Sequence, residues 1–337
     1  MRLLTGALGP RHPDVANVLL ELAGTYHDRS DCGRAQDLCV RALQSLGRRR
    51  CGKDGDRLRF AALALHADLL VAAGRYREAR RVWRRTLGLA ERALGAAERR
   101  AAHNGLGVVC KHLGCLDEAE GHYRVALRSA RRARAALELA TLYHNLGGLD
   151  HARGRFVRGA ATARRGLRLR EAALGSAHTA VAADKAALAS LLEGNDDLEG
   201  AEALYREAIR VFRRAYGRTH FEVGLNLGNL AAVAHRRGDL ATAGRRYGRA
   251  LAIQERAAGP AHPLLALLVE NFATLRLEQG RQAEAASLYR RAAAIYARTL
   301  GPRHPDTLMA LRHWRAITKA GAVISAERST RSRRSDP

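Results

Sequence analysis

Three residues with metal-binding side chains, Cys110, His112 and Cys115, lie within six positions of one another in this 337-residue sequence. Two thiolates and an imidazole are ligands that zinc accepts, but a structural zinc site needs four ligands and no fourth candidate stands nearby. The five cysteines of the chain also lack the paired C-x-x-C spacing of zinc or redox sites. We therefore predict no metal site, and cysteines that stay reduced.

Catalytic motifs are absent from the sequence. It contains no G-x-S-x-G, no H-E-x-x-H and no G-x-x-x-x-G-K-S/T segment. The run Gly105-Leu-Gly107 lacks the third glycine of a dinucleotide-binding loop and follows no predicted strand. Carboxylates occur mostly beside arginines on predicted helix surfaces, where they support the helix. We predict a protein that is not an enzyme, with no catalytic residue and no cofactor.

The net charge of +25 is large for this length, and only four of the 58 basic residues are lysines. Basic groups at that density attract acidic peptides, nucleic acid or anionic membranes. The content of arginine, alanine and glycine is equally typical of a GC-rich genome, in which case the charge lies on solvated faces without a function. Both explanations stay open at the level of the sequence.

Targeting signals are not evident. No stretch of about 18 apolar residues is present, so the sequence predicts no transmembrane helix. Residues 1–10 lack the apolar core of about 7–15 residues that a secretory signal requires. The expected location is the cytoplasm.

The elements that position any site are predicted to be helices, because the chain is rich in Ala, Leu, Arg and Glu and poor in Ile and Thr. An internal repeat is also visible. Residues 300–306 (LGPRHPD) copy residues 8–14, and weaker copies begin at Leu174, Tyr216 and Ala258. Four histidines of these copies are spaced 42 residues apart: His178, His220, His262 and His304.

A second pattern recurs around a turn residue. The turn residues are Ser30, Gly74, Gly114, Gly154, Asp196, Gly238 and Gly280. Five positions later the residue is always small, at Ala35, Ala79, Ala119, Gly159, Ala201, Ala243 and Ala285. Seven positions before the turn it is small again, at Ala23, Ala67, Gly107, Gly147, Ala189, Ala231 and Ala273. Small side chains at fixed points let two antiparallel helices approach closely, so each repeat is predicted to be a helix pair.

The residues between the helices fit this prediction. Glycine at the turn permits the positive φ at which the first helix ends. The His-Pro pair suits the start of the next pair, because proline at the first helical position loses no needed N–H. We therefore predict that the repeated histidines are structural, with a role in the loop and the helix cap, and not ligands.

These patterns resemble the tetratricopeptide repeat in its 42-residue form, which is found in kinesin light chains and nephrocystin-like proteins. The resemblance covers residues 8–321 and implies an all-α, right-handed superhelical solenoid of seven helix pairs plus a C-terminal capping helix. Residues 1–7 are an N-terminal lead, and residues 322–337 are predicted to be a basic, disordered tail. In the fourth repeat Gly159, Ala163 and Gly166 replace larger residues, which predicts thin packing and a hinge.

In such a solenoid the first helix of every pair lines an inner wall. Nine positions before the turn, where the family pattern has asparagine, this chain has Asn145, Asn229 and Asn271. A carboxamide has donors and an acceptor for the backbone of an extended peptide, and the resemblance implies that role for these three residues. The alternative is that these amides brace neighbouring helices.

Other polar residues share the same predicted face: Asn17, Asn104, Lys111, His112, His144, His151, His235 and Arg236. Together they predict a neutral to basic groove for a protein or peptide, including an acidic one. The function that follows is a non-catalytic scaffold or adaptor that binds a peptide segment of a partner.

The alternative function is binding of nucleic acid or another polyanion by arginines of the second helices, which a solenoid is expected to keep on its convex outer surface. These arginines are Arg80, Arg81, Arg84, Arg85, Arg164, Arg165, Arg168, Arg170, Arg245, Arg246 and Arg249. The net charge favours this alternative. The scarcity of aromatic residues, on which single strands stack, disfavours it.

Overall fold

The computed structural model describes residue 6 and residues 8–28, 31–47, 52–260, 262 and 264–332. Fifteen helices and no strand occupy that part of the chain. None of these helices combines the length and the apolar character needed to cross a membrane. The prediction of an all-α fold is confirmed.

The helices follow one another with short connections. In chain order they are α1 (Pro13–Asp28), α2 (Cys32–Leu46), α3 (Gly52–Ala72), α4 (Tyr76–Ala93), α5 (Ala96–His112), α6 (Leu116–Arg132), α7 (Ala136–Ala152), α8 (Phe156–Leu174), α9 (Thr179–Gly194), α10 (Leu198–Tyr216), α11 (Phe221–Arg236), α12 (Leu240–Ala258), α13 (Leu265–Glu278), α14 (Gln282–Thr299) and α15 (Pro305–Ser332).

Two compact units divide the chain, residues 1–196 and residues 197–337. In the first unit α1 packs on α2, α3 on α4, α5 on α6 and α7 on α8, and α9 packs on both α7 and α8. In the second unit α11 packs on α12, α13 on α14, and α15 on α14. Successive first helices also touch within each unit, α3 with α5 and α5 with α7 in one, α11 with α13 in the other.

The small residues of the repeat lie where the two helices of a pair meet. Every residue five positions after the turn and seven positions before it is buried. Gly107 illustrates why the residue must be small, because a Cβ built there would lie 2.4 Å from the ring of Tyr123 on the paired helix. The predicted packing of paired helices is therefore confirmed.

The fourth repeat corrects one prediction. Thin packing was expected from its glycines, but α7 and α8 approach so closely that a Cβ at Gly166 would lie 2.9 Å from the backbone oxygen of Ala140. A Cβ at Gly159 would lie 2.5 Å from the side chain of Leu191 on α9. Where side chains are missing the helices have closed the space, so the prediction of a loose repeat is wrong.

The turns and caps behave as the sequence predicts. At five predicted turns the glycine has a φ between 68° and 80°, and Asp196 has a φ of 65°; Ser30 lies outside the described residues. At the start of α9 the Nδ1 atom of His178 accepts a hydrogen bond from the backbone N–H of Ala180 at 3.1 Å. The other copies, His12, His220, His262 and His304, make the same contact with the N–H two residues on. The structural role predicted for these histidines is confirmed.

The ends of the chain differ from the sequence boundaries. Helix α15 runs to Ser332, past residue 321, where the sequence analysis begins the tail. Alanines just after that boundary are good helix formers, which accounts for the continuation. Residues 333–337 of the predicted tail, and residues 1–5 and 7 of the predicted lead, lie outside the described residues.

Candidate binding grooves

The first unit contains a groove of about 480 Å³ along three successive first helices, α3, α5 and α7. Its apolar lining is Phe60, Ala97, Ala101, Leu137 and Leu142, and its polar lining is Glu98, Arg100, Asn104, Glu138 and Thr141. Because the helix pairs of this unit stack on one another, their first helices lie side by side. The groove thus follows from the repeat pattern.

Ion pairs tie the walls of this groove together. Arg100 of α5 binds the carboxylate of Glu138 on α7 through two hydrogen bonds, of 2.5 and 3.0 Å. The guanidinium of Arg57 on α3 lies 3.7 Å from the carboxylate of Glu98 on α5. Each carboxylate of the lining therefore has an arginine partner, and this part of the groove carries no large excess of either charge.

Two predicted site residues are hydrogen-bonded to each other, and one of them, Asn104, lines this groove. The amide nitrogen of Asn145 donates a hydrogen bond of 2.7 Å to the carbonyl oxygen of Asn104. Asn104 lies on α5 and Asn145 on α7, so this contact is the bracing that the sequence analysis held as the alternative. The bond uses one donor of Asn145 and one acceptor of Asn104. The Asn104 amide and the Asn145 carbonyl keep the capacity to bond a peptide.

His144, whose side chain is 35% exposed, contacts a buried carboxylate and is not among the residues that line this groove. Its Nδ1 atom lies 2.7 Å from the carboxylate of Asp184, whose second oxygen accepts a hydrogen bond of 2.7 Å from Arg170. Arg170 also donates to the hydroxyl of Thr141 at 3.2 Å. The network joins α7, α8 and α9. Arg170 was placed on the outer surface by the sequence analysis, but its side chain is only 13% exposed.

Lys111, His112 and His151 are three basic residues of the predicted groove face. Burial lowers the pKa of Lys111. Burial first, and then the charge of Lys111, lowers the pKa of His112 to about 4; its ring stacks on Tyr76 at 4.7 Å. Desolvation and Lys111 lower the pKa of His151 as well, and its ring packs edge-on against Phe156. The two histidines are thus uncharged at neutral pH and add nothing to a basic wall.

The remaining predicted site residues are dispersed. Asn17 and Arg236 are exposed, whereas Asn229 and Asn271 are half-buried on α11 and α13. The Nε2 atom of His235 lies 2.7 Å from the carboxylate of Glu278, which links α11 to α13. His235 therefore braces two first helices of the second unit, as Asn145 does in the first.

Three apolar residues at equivalent positions of the first helices in the second unit were not predicted from the sequence as part of a site. Leu267 on α13 and Met309 on α15 are 61% and 50% exposed, and Leu225 on α11 is half-buried. These three residues are spaced 42 apart, which is the signal that could have revealed them. Leu264 and Leu308 beside them are also exposed. Exposed apolar side chains in a row are typical of an interaction surface.

A second groove in the same unit is rich in arginine. It has a volume of about 590 Å³, and its charged lining is Arg206, Glu207, Arg210, Arg213 and Arg246 from α10 and α12. Arg206 is paired with Glu202 at 2.7 Å. Burial, and then the charges of Arg249 and Arg218, lower the pKa of Arg213, so cations surround this guanidinium. The buried Nε atom of Arg213 has no hydrogen-bond partner among the described residues.

Two family models match the chain, at residues 222–298 and 185–222, and both describe the tetratricopeptide repeat. The matched segments cover three of the turns and small-residue pairs that recur along the rest of the chain. The protein is a tetratricopeptide repeat protein. No curated protein matches its sequence well enough to count as a relative.

Solved structures share the fold of this tetratricopeptide repeat protein at low sequence identity. NprR in complex with its cognate peptide NprX is 10% identical over 88% of this chain and 82% of its own, with a TM-score of 0.63. A Rap protein complexed with Competence and Sporulation Factor is 12% identical over 92% and 99% of the two chains, with a TM-score of 0.55. A tetratricopeptide repeat protein from Parabacteroides merdae is 13% identical over 90% and 99%, with a TM-score of 0.53. Likeness at this level establishes the fold alone.

Proposed function

We propose that this tetratricopeptide repeat protein is a non-catalytic adaptor that binds an extended peptide segment of a partner protein in the groove of α3, α5 and α7. The observation that carries the proposal is the combination of an apolar lining with the side chain of Asn104 in one open groove, with Asn145 of the neighbouring helix hydrogen-bonded to Asn104. Peptide sites combine apolar pockets with a few polar groups that fix orientation. NprR, which shares this fold, is in complex with its cognate peptide NprX, and this complex supports the proposal.

The chemistry of the groove defines the kind of peptide. The Asn104 amide and the Asn145 carbonyl together offer a donor and an acceptor for one peptide unit. Leu137, which is 43% exposed, offers apolar surface to a side chain of the ligand. Because Glu98 and Glu138 are both paired with arginines, we infer that the preferred segment is apolar and close to neutral, not strongly acidic.

A matched pair of substitutions tests this function. A displayed peptide library is selected against the wild-type chain, and the dissociation constant of the best peptide is measured by fluorescence polarisation. Ala101→Arg fills the groove from α5, whereas Ala161→Arg adds the same side chain to an exposed position of α8. We expect Ala101→Arg to weaken binding by roughly 100-fold or more, because hot-spot losses reach about 2–4 kcal/mol. Equal binding by both variants would refute the proposal.

A second function is favoured by the arginine-rich groove of α10 and α12. The buried, unpartnered Nε atom of Arg213 among other cations suits a phosphate or carboxylate, so polyanion binding is the second candidate. Phosphate contacts weaken steeply with salt because counterions are released. Binding of single-stranded nucleic acid that falls by about 1,000-fold between 50 and 200 mM salt, and that Arg213→Gln weakens, would favour this candidate. Salt-independent peptide binding would favour the first.

A further inference from the structure

The third repeat carries an unusual set of polar side chains where its two helices meet. His103 and Cys110 lie on α5, and Glu118 and His122 lie on α6. The positions of His103, Cys110 and His122 carry apolar or aromatic residues in the first two repeats. In the first repeat the equivalent residues are Leu19, Tyr26 and Leu38, and in the second repeat they are Leu63, Leu70 and Val82. The helix-packing role of this seam therefore does not account for the polar residues.

Their geometry brings three different ligand types together. Cys110, Glu118 and His122 each offer one atom, and these atoms lie within 4.8 Å of one another. The Cys110 side chain is fully buried, whereas those of Glu118 and His122 are 35% and 20% exposed. The cluster is thus anchored in the core and open on one side.

The two nitrogens of His122 face different partners. Its Nε2 atom lies 3.9 Å from Oε1 of Glu118, and its Nδ1 atom lies 3.0 Å from Nδ1 of His103. A histidine that binds a metal through one nitrogen usually donates its other N–H to a neighbouring acceptor, which fixes the ring. His103 is in the place of that acceptor.

We propose that Cys110, Glu118 and His122 bind a zinc-class divalent transition ion, and that His103 orients the His122 ring by accepting a hydrogen bond from its Nδ1–H. Thiolate, imidazole and carboxylate are the three protein ligand types that zinc accepts. Ligand atoms at about 2.0–2.3 Å from the ion stand less than about 4 Å apart, so small side-chain rotations convert the observed cluster into a site. Three protein ligands leave a fourth position for solvent on the exposed side.

Two arginines lie beside the carboxylate of Glu118 and affect how it can bind an ion. Arg80 donates a hydrogen bond of 2.5 Å to Oε2 of Glu118, which leaves Oε1 on the side of His122. Arg84 lies 3.5 Å from Oε1 and must move aside when the ion enters. The thiol proton of Cys110 is released to solvent as the sulfur binds the ion, and no electron is transferred.

This site differs from the one that the sequence suggested and that lacked a fourth ligand. That site combined Cys110 with His112 and Cys115, its neighbours in sequence. The structure stacks His112 on Tyr76 and places Cys115 at the N-cap of α6. The ligands that the fold brings to Cys110 come instead from the first two turns of α6.

Cobalt titration of the purified full chain tests the proposal with the metal alone as the probe. We expect a thiolate-to-cobalt charge-transfer band at one equivalent of Co²⁺, and its loss on addition of Zn²⁺. Cys110→Ser should abolish the band, and His122→Gln should weaken zinc affinity by roughly 100-fold or more, because loss of even an outer-shell partner costs about 10–100-fold. Cys39→Ser is the control, since Cys39 is an equally buried thiol in the first repeat.

Far-UV circular dichroism distinguishes loss of the site from loss of the fold. His122→Gln changes a partly exposed side chain, so this variant is expected to keep its helical signal even if Cys110→Ser does not. A wild-type chain without the band overturns the proposal, as does a band that both variants retain. Loss of the band in Cys39→Ser would also overturn it, because the thiol ligand would then be a different cysteine.

Discussion

Replacing Gly107 with alanine tests the packing that builds every repeat. The added methyl group would lie 2.4, 2.6 and 2.8 Å from three ring carbons of Tyr123, whose side chain is fully buried. Overpacking of this kind costs about 1–3 kcal/mol, and contacts this far below van der Waals separation belong at the upper end of that range. The better helix propensity of alanine offsets about 1 kcal/mol. We expect a net loss of about 2 kcal/mol in the free energy of unfolding.

Gly121 provides the matched control in the same repeat. It is an exposed glycine of α6, and a Cβ built there meets nothing within 4 Å. Gly121→Ala should therefore raise the free energy of unfolding by about 0.5–1 kcal/mol. Urea unfolding followed by far-UV circular dichroism measures both variants. If Gly107→Ala were as stable as Gly121→Ala, the argument that small residues permit the close approach of α5 and α6 would be refuted.

Three further predictions concern polar contacts. The pKa of His112 is about 4 in the folded chain and about 6.5 in the unfolded chain, so between these pH values only the unfolded chain binds the proton. Acidification from pH 6.5 to 4 should therefore lower the free energy of unfolding by up to about 3 kcal/mol. The variant His112→Phe should not show this loss. Asp184→Ala should lower the free energy of unfolding by about 3 kcal/mol, since Arg170 then keeps an unpaired buried charge; the unfolding midpoint in urea reports it, and an unchanged midpoint would exclude the network. Asn145→Ala should lower the free energy of unfolding by only about 1 kcal/mol, because Asn104 loses one neutral hydrogen bond. The same variant should weaken the binding of a peptide in the groove, as measured by fluorescence polarisation.

The fold was predictable from the sequence because its determinants are local and repeated. Turn glycines with positive φ, small residues at fixed offsets and histidine caps each impose the same geometry every time they occur. The prediction for the fourth repeat was wrong because a sequence shows how much side-chain volume is missing and not whether helices move together to fill it. At Gly159 and Gly166 the helices pack closely, although the sequence predicted loose packing there.

The candidate sites were less predictable, because they depend on contacts between side chains of different helices. The offset from the turn predicts that Asn145 faces the inner wall, but it does not reveal Asn104 as its hydrogen-bond partner. Similarly, the helix phase of His144 does not show that its Nδ1 atom contacts the buried carboxylate of Asp184. His112 and Cys115 lie close to Cys110 in sequence, so the sequence alone suggests them as metal ligands. Glu118 and His122 approach Cys110 only when α6 folds back on α5.

Hydrogen–deuterium exchange with and without the selected peptide tests the central claim most directly. Residues 96–112 and 136–152, which form α5 and α7, are expected to gain protection when the peptide is bound. Protection of α10 and α12 alone, at the arginine-rich groove, would contradict the claim that the first helices of the first unit hold the ligand.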